Sequence, residues 1–254
     1  MRVTALALAV VVLSWTGAPA AAPVGSVPAA RLGVGDWAQY RAVTQAGART
    51  VEVTQRYAIV GEERQADGVR WVWLEIAIGM PGTRMIQKVL LPAGALAAKG
   101  PDSWESFRDA RRWIVRSGDS PATEMPIAEA LAQMRNQTAL AEDPAAAVKD
   151  LAPESIATPR GALLCTRRES RGVTKAEQLQ GGTQVAVSNA YTSTVWRHDT
   201  VPITRLVRTV AEATVEVTPA GSAAGTRPSR QQTRTTIELV DFGTGATTAI
   251  PDLP

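Results

Sequence analysis

The chain has 254 residues, 45% of them apolar and 20% charged, with 27 basic against 24 acidic side chains for a formal net charge of +3. That is enough for one sizeable core, or two small ones, and too apolar for a disordered protein. So even a charge balance argues against nucleic acid or anionic lipid as a partner. The single cysteine, Cys165, cannot close an internal disulfide, so packing must hold the fold.

Residues 1–22 read as an export signal: Met1-Arg2 is a short basic start, Val3 to Leu13 is apolar apart from Thr4, and Ala18-Pro19-Ala20-Ala21-Ala22 offers small residues to a peptidase. Cleavage is expected near residues 20–22, placing the mature protein in the periplasm or outside the cell. The apolar run falls short of the roughly 17–25 residues of a membrane span, so no integral membrane anchor is expected after cleavage. No cysteine follows that run to carry a lipid. Residues 23–35 form a Pro/Gly/Ala-rich flexible leader, and residues 36–254 are expected to be one domain.

Period-two alternation then sets in, the mark of half-buried strands. Asp36 to Thr44 is a first strand. After a turn at Ala46-Gly47, Val51, Val53, Tyr57 and Ile59 fall on one face of a second, with Glu52, Thr54 and Arg56 on the other. Gly61 to Gly68 is a charged connection ending in Asp67-Gly68, a pair that favours hairpins. Val69 to Ile78 alternates Val72, Leu74, Ile76 and Ile78 with Trp71, Trp73 and Glu75, predicting a central strand covered on both faces. Met80-Pro81-Gly82 turns the chain into a fourth strand, Thr83 to Leu91, with Met85, Val89 and Leu91 aligned. Four such strands make an antiparallel meander.

Between Pro92 and Pro159 the prolines recur too often for a sheet. Pro92 to Lys99, Ile127 to Met134 and Ala139 to Leu151 read as helical, laid with loops across the meander. Strand character returns at Gly161 to Ser170, Gln184 to Arg197 and Ile203 to Val217. Pro219 to Arg230 is a long loop, and Thr233 to Phe242 closes the chain with Ile237, Leu239 and Asp241 on one face and Glu238, Val240 and Phe242 on the other. The fold class is α+β.

Catalytic chemistry finds little support. There is one histidine, His198, to serve Cys165 or any serine as a base, and neither residue sits in a nucleophile elbow. Cys165 lies in an apolar run and reads as a buried side chain. No zinc or calcium spacing occurs, and Asp241-Phe242-Gly243 lacks every other part of a kinase. A carboxylate pair converging from distant strands would leave no local motif. Beyond the signal the tryptophans Trp37, Trp71, Trp73, Trp104, Trp113 and Trp196, against two phenylalanines, suit either core packing with a satisfied indole N–H or the lining of an apolar cavity.

The ordered set Gly35-Asp36-Trp37-Ala38-Gln39-Tyr40, Val60-Gly61, Trp73-Leu74-Glu75, Trp196 to Ile203 and Glu238 to Gly243 resembles the LolA/LolB-like superfamily of exported lipoprotein-sorting and lipid-handling proteins. The resemblance spans Gly35 to Gly245. It implies a strongly curved antiparallel sheet, an incomplete barrel, with helices from the middle of the chain covering the concave side. It also implies no cofactor and no covalent chemistry.

Two functions follow as expectations. One is a non-enzymatic carrier or binding protein for a lipid or other apolar small molecule in the bacterial cell envelope, with Val51, Val53, Tyr57, Val72, Leu74, Ile76, Met85 and Val89 lining the cavity. The other is a structural or interaction module with a filled core and an envelope protein as partner, engaged through edge strands and the loop Pro219 to Arg230. No metal is expected in either.

Overall fold

Eleven strands, all paired antiparallel, form one sheet in the computed structural model, which describes residues 32–64, 66, 68–101, 103–138, 146–180, 183–219 and 228–250. In chain order they are β1 (Trp37–Ala46), β2 (Arg49–Arg64), β3 (Arg70–Met80), β4 (Thr83–Pro92), β5 (Arg112–Ser117), β6 (Thr123–Glu124), β7 (Ala147–Thr158), β8 (Gly161–Gln180), β9 (Thr183–Arg197), β10 (Leu206–Pro219) and β11 (Ser229–Gly243). Helix α1 (Ala93–Lys99) follows β4, and α2 (Ile127–Thr138) follows β6. The sheet order is β6-β5-β4-β3-β2-β1-β11-β10-β9-β8-β7. Two meanders therefore stand side by side, joined where β1 pairs with β11, and the sheet ends in two free edges rather than closing.

The first meander forms where the alternation placed it. Its tight turns use the expected chemistry: Pro81 presets its own φ, and Gly82, at φ 77°, occupies a conformation a side chain would strain. The strands overrun their expected ends. β2 continues through the charged residues to Arg64, paired there with β3 alone, and β8 through Gln180, paired beyond Arg171 with β9 alone, because cross-strand pairing on even one side sustains a strand where side-chain pattern alone does not.

The expected helical middle is corrected at three places. Residues 112–117 and 123–124 extend the sheet as β5 and β6, and residues 147–151, read as the end of a helix, begin β7; residues 139–145 lie outside the described set. The prolines do not prevent this. Pro153 sits in a bulge of β7 between Leu151 and Glu154, and β7 is an edge strand with no second neighbour to accept from. The last strand needs a second correction. Ile237 and Leu239 are buried and Val240 is exposed as the alternation expects, but a register shift in the β1–β11 pair at Gln39/Tyr40 then reverses it, and Phe242 rather than Asp241 packs against the core.

One face of the sheet carries the main apolar cluster. Ala38, Tyr40 and Ala42 of β1 lie across the ladder from Phe242, Leu239 and Ile237 of β11, and the cluster continues through β2, β3 and β4 to Trp113 of β5. Ala93 and Leu96 of α1, Phe107 from the connection between α1 and β5, and Ala130 of α2 join it, with α1 against β3 and β4 and α2 against β5. The far meander rolls back: Arg160, in the β7–β8 turn, reaches across to β11, its Nε donating to Asp241 Oδ1 at 2.8 Å and its guanidinium lying 5.1 Å from the Phe242 ring.

The connection from His198 to Arg205 folds into this core. Val201, Ile203 and Thr204 are buried, while Ile203 (φ 68°) and Arg205 (φ 56°) hold left-handed backbone, which costs on the order of 1–3 kcal/mol for such residues. What fixes it is a ring of hydrogen bonds: Leu206 N–H donates to Thr204 Oγ1 at 3.1 Å, the Thr204 and Tyr40 hydroxyls bond each other, and Tyr40 O–H donates to the Leu206 carbonyl at 3.0 Å. Replacing Tyr40 by Phe leaves Thr204 and the Leu206 carbonyl short of a partner in a dry interior. The expected loss is about 1–3 kcal/mol in urea unfolding; an unchanged midpoint contradicts the role given to the phenol.

Candidate functional site: the core face and its rim

All eight residues expected to line a cavity lie on the face that carries the main cluster, but the structure divides them. Val53, Tyr57, Val72, Leu74, Ile76 and Val89 are packed into it, Val72, Leu74 and Val89 with no exposure at all. The register explains the contact, with Tyr57 opposite Ile76 and Leu74 opposite Val89. Tyr57 meets Tyr40 edge-on at 6.2 Å between ring centroids and accepts from Gln55 Nε2 at 2.6 Å. The other two lie at the margin. Val51 is 50% exposed at the start of β2, and Met85 is half-buried opposite Ile78.

Around that margin the packing is incomplete. Ile78, Met80 and Val115 from the sheet, and Met125, Leu131 and Met134 from the α2 side, are each only partly buried against the core. Three of these are methionines, and a fourth, Met85, is half-buried opposite Ile78 across the β3–β4 ladder. Methionine is unbranched and polarizable, and adapts to irregular or exchangeable apolar surfaces. Sequence reasoning named Met85 alone of the four, because the rim joins a strand pair to a helix more than forty residues on and has no local period.

The second face of β3 and β4 is also apolar, and something specific covers it. Trp71, Trp73, Ile86, Leu90 and Ile114 form a separate cluster closed by Ile250, which is fully buried. The chain's last described residues are strapped on through two buried ionisable groups that face each other across the ladder, Glu75 and Lys88. Glu75 Oε2 accepts from Thr248 Oγ1 at 2.9 Å and from the backbone N–H of Ala249 at 2.8 Å and Ile250 at 3.4 Å. Lys88 Nζ donates to the Ile250 carbonyl at 3.5 Å and lies 5.0 Å from the Trp73 ring. So the two-sided apolar pattern of β3, which suggested a cavity, records a docked tail on one side and a filled core on the other.

Two open troughs lie elsewhere. One of about 1250 Å³ runs over β8 to β11 beside the β1–β2 turn, lined by residues such as Arg171, Thr192, Glu212 and Arg234; another of about 790 Å³ lies between the β3–β4 and β5–β6 turns. Neither includes any of the eight expected residues, and neither is an enclosed apolar pocket.

The reactive side chains are occupied in structural contacts. Cys165 is buried and its Sγ lies 3.3 Å from the Leu163 carbonyl; burial, and then the nearby Glu154 carboxylate, push its thiol above the usual range, the reverse of activation. His198 accepts at Nδ1 from Thr200 N–H at 3.2 Å within its own turn. Glu154 is held below the usual carboxylate range by the Trp196 indole N–H at 3.0 Å and Arg167 at 2.6 Å. Three indoles find acceptors, Trp196 here, Trp73 on Glu63 and Trp37 on the Thr244 carbonyl. Among the described residues no three His, Cys, Asp or Glu side chains gather as metal ligands, and no helix is long and apolar enough to cross a membrane. No protein-family model matches the chain, and no curated protein is similar to it in sequence.

Two measurements check this geometry. Truncating Leu74 to Ala is expected to cost about 2–5 kcal/mol, the penalty of a filled core; a loss under about 1 kcal/mol marks an existing void at Leu74. The second concerns Asp241, whose carboxyl is held low by Arg160 and then by the Phe242 N–H. A group depressed in the folded chain contributes above its unfolded value and loses that contribution as pH falls through the folded one. The Arg160 clasp should hold at neutral pH and release below the ordinary carboxylate value of about 4. Faster hydrogen exchange in the β7–β8 turn on acidification, absent in Asp241→Asn, is the expected sign.

Proposed function

We propose that this protein is a non-enzymatic binding protein or carrier for a lipid or other apolar ligand, acting in the bacterial cell envelope after export. The observation that carries the reading is the methionine-rich rim, an apolar margin left half-covered on a sheet whose interior is otherwise filled. The ligand would lie along this rim, entering between the sheet and α2, with the helices as a cover over a concave side in the manner of a LolA/LolB-like scaffold. The six interior residues then support the site rather than line it. Occupied or buried side chains at Cys165, His198 and Glu154 favour binding over covalent chemistry.

The filled interior favours a second reading, an interaction module whose exposed edge strands β6 and β7 meet a protein partner by strand addition. Native mass spectrometry of the mature protein, with organic extraction of anything bound, separates the two. The carrier reading expects a stoichiometric lipid adduct, reduced at least tenfold in Met85→Glu with the circular dichroism spectrum unchanged. A clean apo mass with no uptake of added lipid contradicts it.

A further inference from the structure

Beyond the apolar cluster, β8 and β9 run on together, and here the face that carries the core changes character. Ser170 Oγ, Thr174 Oγ1, Asn189 Oδ1 and Ser193 Oγ are all buried with no hydrogen-bond partner. The ladder sets them in two opposed pairs, Ser170 with Ser193 and Thr174 with Asn189, on either side of the pair Gly172 and Tyr191. Positions two apart along a strand share a face, so these four atoms belong to one surface. Ser170 and Ser193 are each 1% exposed and Thr174 is 5% exposed.

A buried polar atom without a partner costs about 1–3 kcal/mol, and native proteins leave few of them. Four on two rungs of one face, separated by the Gly172/Tyr191 pair, suggest a place where another molecule supplies the missing bonds. Their surroundings limit its chemistry. Buried Val187 lies beyond Asn189 and buried Val195 beyond Ser193 on the same face, so the group is flanked by apolar surface. Alternation sends Glu169, Arg171, Lys175, Glu212 and Glu216 to the opposite face. The one cation on this face nearby, Arg168, is engaged with Asp150 at 2.6 Å.

One cross-strand row runs from this place to the start of β2 in the first meander: Ser170, Ser193, Ala211, Thr235, Thr44 and Val51 stand opposite one another in turn. Five strand spacings of about 4.8 Å make roughly 24 Å along the sheet. The row is small and neutral throughout, and Thr44 and Thr235 already bond each other at 3.0 Å.

We infer that the Ser170/Ser193 and Thr174/Asn189 rungs bind the uncharged, hydroxyl- or ester-bearing head of an amphiphile whose apolar tail lies toward the methionine rim. This rests on the carrier reading and adds the ligand class: a neutral head, with no counter-cation provided for a phosphate. The test compares 1-monooleoylglycerol with 1-oleoyl lysophosphatidate, binding each to the full chain, to the double variant Ser170→Ala/Ser193→Ala and to Met85→Glu. The neutral lipid should bind the wild type about tenfold or more tightly than the phosphate lipid, and the double variant should lose that margin. Because the hydroxyls lack partners in the free protein, the double variant's urea midpoint should stay level or rise. Equal binding of the two lipids, or an unaltered preference in the double variant, overturns the head-group assignment while leaving the carrier reading in place. Binding of neither lipid to the wild type removes both.

Discussion

The β1–β11 ladder is the contact on which the rest of the molecule depends. Without it the chain is two meanders, β1 to β6 and β7 to β11, each ending in an unpaired strand at the point where the core is deepest. With it, Tyr40 stands beside Leu239 and Ala42 beside Ile237, and one apolar face runs across both halves. The hydrogen bonds that fix the strained connection before β10 also start from β1, at Tyr40. A pairing between residues 187 to 206 apart in sequence is expected to close late, since such a contact must first overcome the entropy of a long loop.

The two faces of the sheet solve the burial problem differently. On the core face, β1 to β5 and β11 fill an interior with α1 and α2, and the packing thins toward a rim of methionines. On the opposite face of β3 to β5, the docked tail buries the tryptophans, with Glu75 accepting from its backbone N–H groups. A buried carboxylate is tolerable there because donors surround it. Far out along β8 and β9 the core face buries polar atoms that remain unpaired. The gradient from filled to half-filled to unsatisfied along one surface is what makes a binding role physically coherent.

How much of this was legible in the sequence depends on the range of the interactions. The first meander could be read because alternation and turn residues are local: Val53, Tyr57, Leu74 and Val89 share a face as their spacing requires. The strand fate of residues 147–151 could not, since nothing local distinguishes an edge strand with a bulged Pro153 from an interrupted helix. Phe242 faces the core through a bulge that no pattern announces. For the site, spacing selected the correct face but not its depth. Leu74 and Met85 look equivalent in a period-two pattern, and only the three-dimensional packing makes one interior and the other marginal. The Glu75 strap joins residues 173 to 175 apart and had no local signal, and the Ser170/Ser193 rung, inside the β8–β9 hairpin, looks in sequence like any polar strand face.

If the ladder between the chain's two ends holds the structure as a single unit, its amides must be among the last to open. Hydrogen exchange followed by mass spectrometry, on peptides covering Trp37–Ala46 and Ser229–Gly243, measures this directly. The account expects the central amides of both strands to exchange as slowly as those of β3, through global unfolding. Fast exchange in these two strands, with β2 to β4 and β8 to β10 still protected, would mean that the meanders are stable apart and would contradict it.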